Sequence, residues 1–142
     1  MKVASKNTYM RILVILIFVM PVLLLSSCGD GRKTVEVSSE IFVQMEGLAF
    51  NRRVIAVPAG ERVVLRLKNT ETYTHYFTVY ETEKAENVII EKKAIPAHTT
   101  TEYEFTAPEK TGRYYFQDDM FPSKMNGIFI VSDKKEVRVE AQ

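Results

Sequence analysis

From Thr34 onward the chain alternates apolar and polar residues with a period of two, and turn residues interrupt it every eight to twelve positions. Nowhere in that stretch does the spacing become helical, which confines the chain to an antiparallel all-β architecture. Val63, Leu65 and Leu67 fall on one face while Arg66 and Lys68 fall on the other; Thr101, Tyr103 and Phe105 oppose Glu102 and Glu104 in the same way. Such strands are half-buried, with one face on a core and one in water. Strands are expected at 35–45, 53–57, 62–68, 75–80, 88–95, 99–105, 113–117 and 127–131, with Pro58-Ala59-Gly60-Glu61 as a turn. That density of short strands predicts a β-sandwich.

The beginning of the chain follows another logic. Lys2, Lys6 and Arg11 precede an apolar run at 12–25 that only Pro21 interrupts. It falls short of the roughly 20 apolar residues of a comfortable membrane span, and it ends in Leu25-Ser26-Ser27-Cys28. Residues 1–27 are therefore expected to be a secretion signal. The Leu-Ser-Ser-Cys ending resembles the lipobox of bacterial lipoproteins, which implies acylation of Cys28, palmitate among the acyl groups, and attachment to the extracytoplasmic side of a bacterial membrane. Gly29 gives no clear retention signal, so inner and outer membrane both stay open.

Composition then sets bounds on the rest. Residues 1–27 hold three of the 19 basic residues and none of the 18 acidic ones, so the processed chain would carry a net charge of −2. Nothing in that balance points to nucleic acid. Cys28 is the only cysteine, so no disulfide can form within the chain. The expected organisation is a signal peptide at 1–27, a lipid-anchored spacer at 28–33, one domain at 34–133 and a charged tail at 134–142, either an edge strand or frayed.

Two segments resemble the cupredoxins, particularly small periplasmic domains related to plastocyanin and azurin and the domain of iron-uptake lipoproteins. "VIAVPAGERVVLRLKNTETYTHYFTV" at 54–79 is similar to the family's first half, with Pro-Ala-Gly-Glu, a strand, Asn69 and then His75 opening the next strand. "APEKTGRYYF" at 107–116 followed by "MNGIFIV" at 125–131 is similar to its second half. The resemblance implies a Greek-key β-sandwich of seven or eight strands with a ligand loop between the last two.

A blue-copper member uses one His from the first half with Cys, His and often Met from the loop. By resemblance, His75 matches the first ligand and Met125 the last. Counting back from Met125 puts Gln117 at the Cys position and Met120 at the second His, whereas counting forward from Gly112 puts Asp118 and Phe121 there. Strand parity favours Asp118 as the inward group. In either register the thiolate is missing, so a type 1 blue centre is excluded and the candidate metal ligands are His75, Met120, Met125, Asp118 and Gln117. Two thioethers and an imidazole favour copper(I), while imidazole with carboxylate accepts copper(II). The competing account is packing, with both methionines filling the sandwich end and His75 bonded to backbone.

Other residues read more plainly. His98 sits where relatives have a turn glycine, Asp118-Asp119 otherwise reads as a solvated loop tip, and Tyr73, Tyr76 and Phe121 are expected at the mouth of the site. Met45 is a weaker additional ligand. The chain shows no catalytic triad, paired carboxylates or phosphate loop, so it is not expected to be an enzyme. The leading expectation is an envelope lipoprotein that binds or delivers copper through a His/Met site. The alternative is a metal-free interaction module docking a membrane transporter or oxidase.

Overall fold

The computed structural model describes residues 31–140. Among these residues there is no helix; eleven strands form instead. They are β1 (Arg32–Glu36), β2 (Glu40–Glu46), β3 (Ala49–Phe50), β4 (Val54–Pro58), β5 (Arg62–Asn69) and β6 (His75–Tyr80) in the first half. β7 (Val88–Ile95), β8 (Thr100–Thr106), β9 (Gly112–Gln117), β10 (Asn126–Ser132) and β11 (Glu136–Glu140) follow.

The alternation of β5 shows why the strands sort into layers. Val63, Leu65 and Leu67 are buried while Arg66 and Lys68 stay exposed, and β8 lies antiparallel beside it with Arg66 opposite Glu102. These two strands, with β2 and β3, make a four-stranded sheet in the order β3-β2-β5-β8, and the second sheet runs β4-β10-β9-β6-β7. Apolar residues of both sheets join in one core, including Val43, Leu65 and Leu67 from the first and Ile55, Phe77, Phe116 and Phe129 from the second. Phe77 and Phe116 stack 5.1 Å apart, and Phe50 reaches Phe116 at 5.2 Å. This is a β-sandwich whose core closes within residues 31–140.

The expectation of seven or eight strands is corrected upward. The expected strand at 35–45 is two, because Ser38 turns back on itself by accepting from Glu40 N and donating to its carbonyl. β3 is too short to show an alternation. β1 starts inside the stretch read as spacer, and β11 occupies the stretch read as tail; the two pair antiparallel from Arg32↔Glu140 to Glu36↔Glu136. The stretch expected to be a signal peptide, and Cys28, lie outside the described residues.

β2 pairs parallel with β5, and β10 parallel with β4. These crossings bring the start of β6, the end of β9 and the start of β10 to one end of the sandwich, where the residues between β9 and β10 form a loop.

Candidate functional site

The loop is folded by its own backbone. Asp118 N donates to the Met125 carbonyl at 2.8 Å, Phe121 N to the Asp118 carbonyl at 3.1 Å, and Lys124 and Met125 N both to the Phe121 carbonyl. Its exit needs a glycine. A Cβ at Gly127 would lie 2.4 Å from the Phe116 ring and 2.6 Å from the Arg53 carbonyl, closer than real atoms approach, so the Met-Asn-Gly sequence has a steric cause.

Strand parity continues from β9 into the loop. Tyr114, Phe116 and Asp118 are buried, whereas Gln117 and Asp119 lie on the outer face. Asp118 and His75 are both 0% exposed, and His75 Nδ1 meets Asp118 Oδ2 at 2.5 Å. The other Asp118 oxygen accepts from Met120 N at 2.8 Å, which leaves the carboxylate well bonded. The imidazole is not: His75 Nε2 is buried and has no hydrogen-bond partner among the described residues.

The facing loop is held from the other side. Asn69, buried at the end of β5, donates to the carbonyls of Tyr73, Ile95 and Pro96 and accepts from Glu71 N, so the approach to His75 is pinned. Tyr73 and Phe121 close over the imidazole, with ring centroids 4.9 and 5.8 Å from it and 5.6 Å from each other.

Of the candidate ligands, His75 and Asp118 are brought into contact. Met125 is fully buried and belongs to the core cluster, joined to Asp118 through its own carbonyl. Met120 is 56% exposed and its side chain stands outside the core. Gln117 points away and donates to Asp119 at 3.3 Å. Met45 is buried in the core, its carbonyl accepting from Thr70. His98 is exposed with a φ of 54°, the left-handed backbone that glycine favours. Tyr76 is not at the mouth; the alternation that turns His75 inward turns Tyr76 outward, under the Lys92 ammonium at 3.9 Å.

Asp118-Asp119 is not a solvated tip. Asp119 accepts from Thr78 and Tyr80 hydroxyls, each at 2.8 Å, and Lys92 lies 3.7 Å away. Burial works to raise its carboxyl, but hydrogen bonds from Tyr80, Thr78 and Gln117 and the Lys92 charge outweigh it, holding the group below the usual 3.8. Tyr80 is pushed up in turn, by burial first and then by the bond to Asp119. The signal for this cluster was present in Thr78 and Tyr80, two polar residues at i and i+2 on the face opposite His75.

The donor set can be tested against copper. An imidazole and a carboxylate converge in a dry site beneath two aromatic rings, with a buried thioether on the same loop. No group of three or more His, Cys, Asp or Glu side chains that could hold a metal is found among the described residues, so a third donor of those types is missing beside His75 and Asp118. The packing account has a weakness: a structural histidine is normally bonded at both nitrogens, and here Nε2 is orphaned. The residues fit copper of the non-blue kind, with no thiolate.

The family described as the cupredoxin-like domain matches residues 13–131. No curated protein matches the chain in sequence. Among solved structures, auracyanin from Roseiflexus castenholzii is 20% identical with a TM-score of 0.59, covering 68% of this chain and 98% of that one. Auracyanin A of Chloroflexus aurantiacus, described as a "blue" copper protein, is 23% identical with a TM-score of 0.57, covering 66% and 98%. Auracyanin B is 16% identical with a TM-score of 0.55, covering 71% and 97%. At these identities the likeness is one of fold.

Proposed function

This chain belongs to the cupredoxin-like domain family, and from that premise we propose a cell-envelope lipoprotein whose domain binds copper, or passes it on, without being a blue electron carrier or an enzyme. His75 and Asp118 are the principal ligands, Met125 and the exposed Met120 add soft thioether character, and Cys28 carries the lipid anchor. The observation that supports this most is the buried His75–Asp118 contact at 2.5 Å beside an unpartnered Nε2.

A buried carboxylate against a buried imidazole is a poor device for stability, since desolvation offsets the attraction. It is a good device for receiving a cation. Imidazole and carboxylate both offer lone pairs to an incoming ion, and the two aromatic rings over His75 keep competing water away. Imidazole with carboxylate accepts copper(II), and the thioethers extend the range to copper(I).

Equilibrium dialysis of the purified chain against copper(I) and copper(II) tests the reading. Asp118→Asn and His75→Ala should each weaken binding by at least the roughly ten- to hundredfold that loss of a ligand's hydrogen-bond partner costs. Met120→Leu with Met125→Leu should lower copper(I) affinity selectively, at a stability cost under about 1.5 kcal/mol. The loaded protein should lack the intense thiolate-to-copper band of a blue site. A parent chain that takes up no copper at micromolar concentrations would overturn the reading in favour of a metal-free module docking a transporter or oxidase.

A further inference from the structure

The start of the described chain lies at the same end of the sandwich as the His75–Asp118 site. β10 begins with Asn126 opposite Gln117, and two residues later Ile128 pairs with Val54, the first residue of β4. Ile128 N donates to the Arg53 carbonyl, which puts residues 51–53 beside the ligand loop. β1 runs along β4 in the same direction: Lys33, Thr34 and Val35 face Asn51–Val54 across a groove, and Ser38 N reaches the Ala56 carbonyl further on. Arg32 therefore stands at the loop end.

That groove, about 490 Å³, is basic. Lys33, Arg52 and Arg53 line it, all three exposed, against Glu140 as the one acidic lining residue. Beyond it at the same end stand Tyr73, 36% exposed, and Met120, 56% exposed. Cations beside protruding apolar side chains are the arrangement that holds a protein on an anionic bilayer, the charges on headgroups and the apolar tips in the interface.

We propose that the loop end of the sandwich faces the membrane, with Lys33, Arg52 and Arg53 on the phosphates of anionic phospholipids and Met120 dipping into the headgroup layer. The inference rests on the lipid-anchor reading, because the four peptide steps from Cys28 to Arg32 span at most about 14 Å and keep this end close to the surface. The aromatic residues that cover the His75–Asp118 site then face the bilayer, and a partner that exchanges copper with it must present its own site at the membrane surface.

The chain has no tryptophan and one cysteine, which makes the orientation measurable. Residues 28–142, whose core is complete, are coupled through Cys28 to a maleimide lipid in vesicles holding nitroxide-labelled phosphatidylcholine, with or without phosphatidylglycerol. Met120→Trp reports on the loop end, and Lys110→Trp reports on the opposite end, where Gly60 N bonds to the Pro108 carbonyl. In phosphatidylglycerol vesicles the reporter at 120 should be quenched several-fold more than the one at 110. Combining Lys33→Glu, Arg52→Glu and Arg53→Glu should remove the difference. Equal quenching in the parent overturns the proposal, as does a bias that survives the charge reversal. Chemical coupling keeps this result independent of whether cells acylate Cys28, so failure of the anchor and failure of the orientation are read separately.

Discussion

An ionisable side chain that is buried must be bonded or neutral, and the two aspartates after β9 meet that demand differently. Asp118 turns inward to His75, and Asp119 turns outward to Thr78, Tyr80, Gln117 and Lys92. Because the Asp119 carboxyl is held below its ordinary 3.8 in the fold, it contributes stability that is present above the unfolded value and lost as pH falls through the folded one. Asp119→Asn should lower Tm at neutral pH, and the gap to the parent should shrink in acid below the ordinary carboxylate range. Circular-dichroism melting across that range is the check, and a gap that stays constant with pH contradicts the assignment. The inward turn of Asp118 was legible, since period two carries from Tyr114 and Phe116. The outward turn of Met120 was not. A five-residue interval in a loop says nothing about direction, which here is set by the Phe121 N bond to the Asp118 carbonyl.

At the scale of a strand, burial and charge divide the work unequally. Leu65 of β5 is 1% exposed, whereas Arg66 beside it reaches across to Glu102 at 2.9 Å with about half of each side chain in water. Leu65→Ala should cost about 2–5 kcal/mol. The Arg66→Ala and Glu102→Ala double-mutant cycle should return a coupling of at most about 1 kcal/mol, because an exposed pair is screened and has to be ordered. Denaturant unfolding of the four variants decides it; a coupling near the Leu65→Ala cost would contradict this division. The same contrast explains what the sequence showed of the elements. β5 and β8 were legible because their alternation is clean, whereas β6 and β7 were legible as β-branched and aromatic runs between turn residues, since Thr78 is buried between Phe77 and Val79 and β7 buries only Ile90 and Ile95. β1 and β11 pair with each other in a two-stranded ribbon and bury little, so the sequence showed β1 only from residue 35 and left β11 open between an edge strand and a frayed tail.

For the whole molecule, the ribbon ties both ends of the domain together at the loop end, with Arg32 opposite Glu140. A tether attached there holds the loop end, rather than the opposite end, near the surface to which Cys28 would be fixed. Such a restraint has a function only if the tether is real, and that makes Cys28 the residue on which the envelope reading depends. Two or three acyl chains, at about 0.8 kcal/mol for each buried methylene, would make the attachment nearly irreversible. In bacteria fed a labelled fatty acid, the parent chain should carry the label and run as the shortened, processed form. Cys28→Ala should carry none and keep its first 27 residues, since the lipoprotein peptidase acts on the acylated cysteine. Label on the Cys28→Ala chain would place the lipid elsewhere. A parent without label would make Cys28 a plain thiol near a cleavage site, and the domain would then meet its copper partner in solution rather than at a surface.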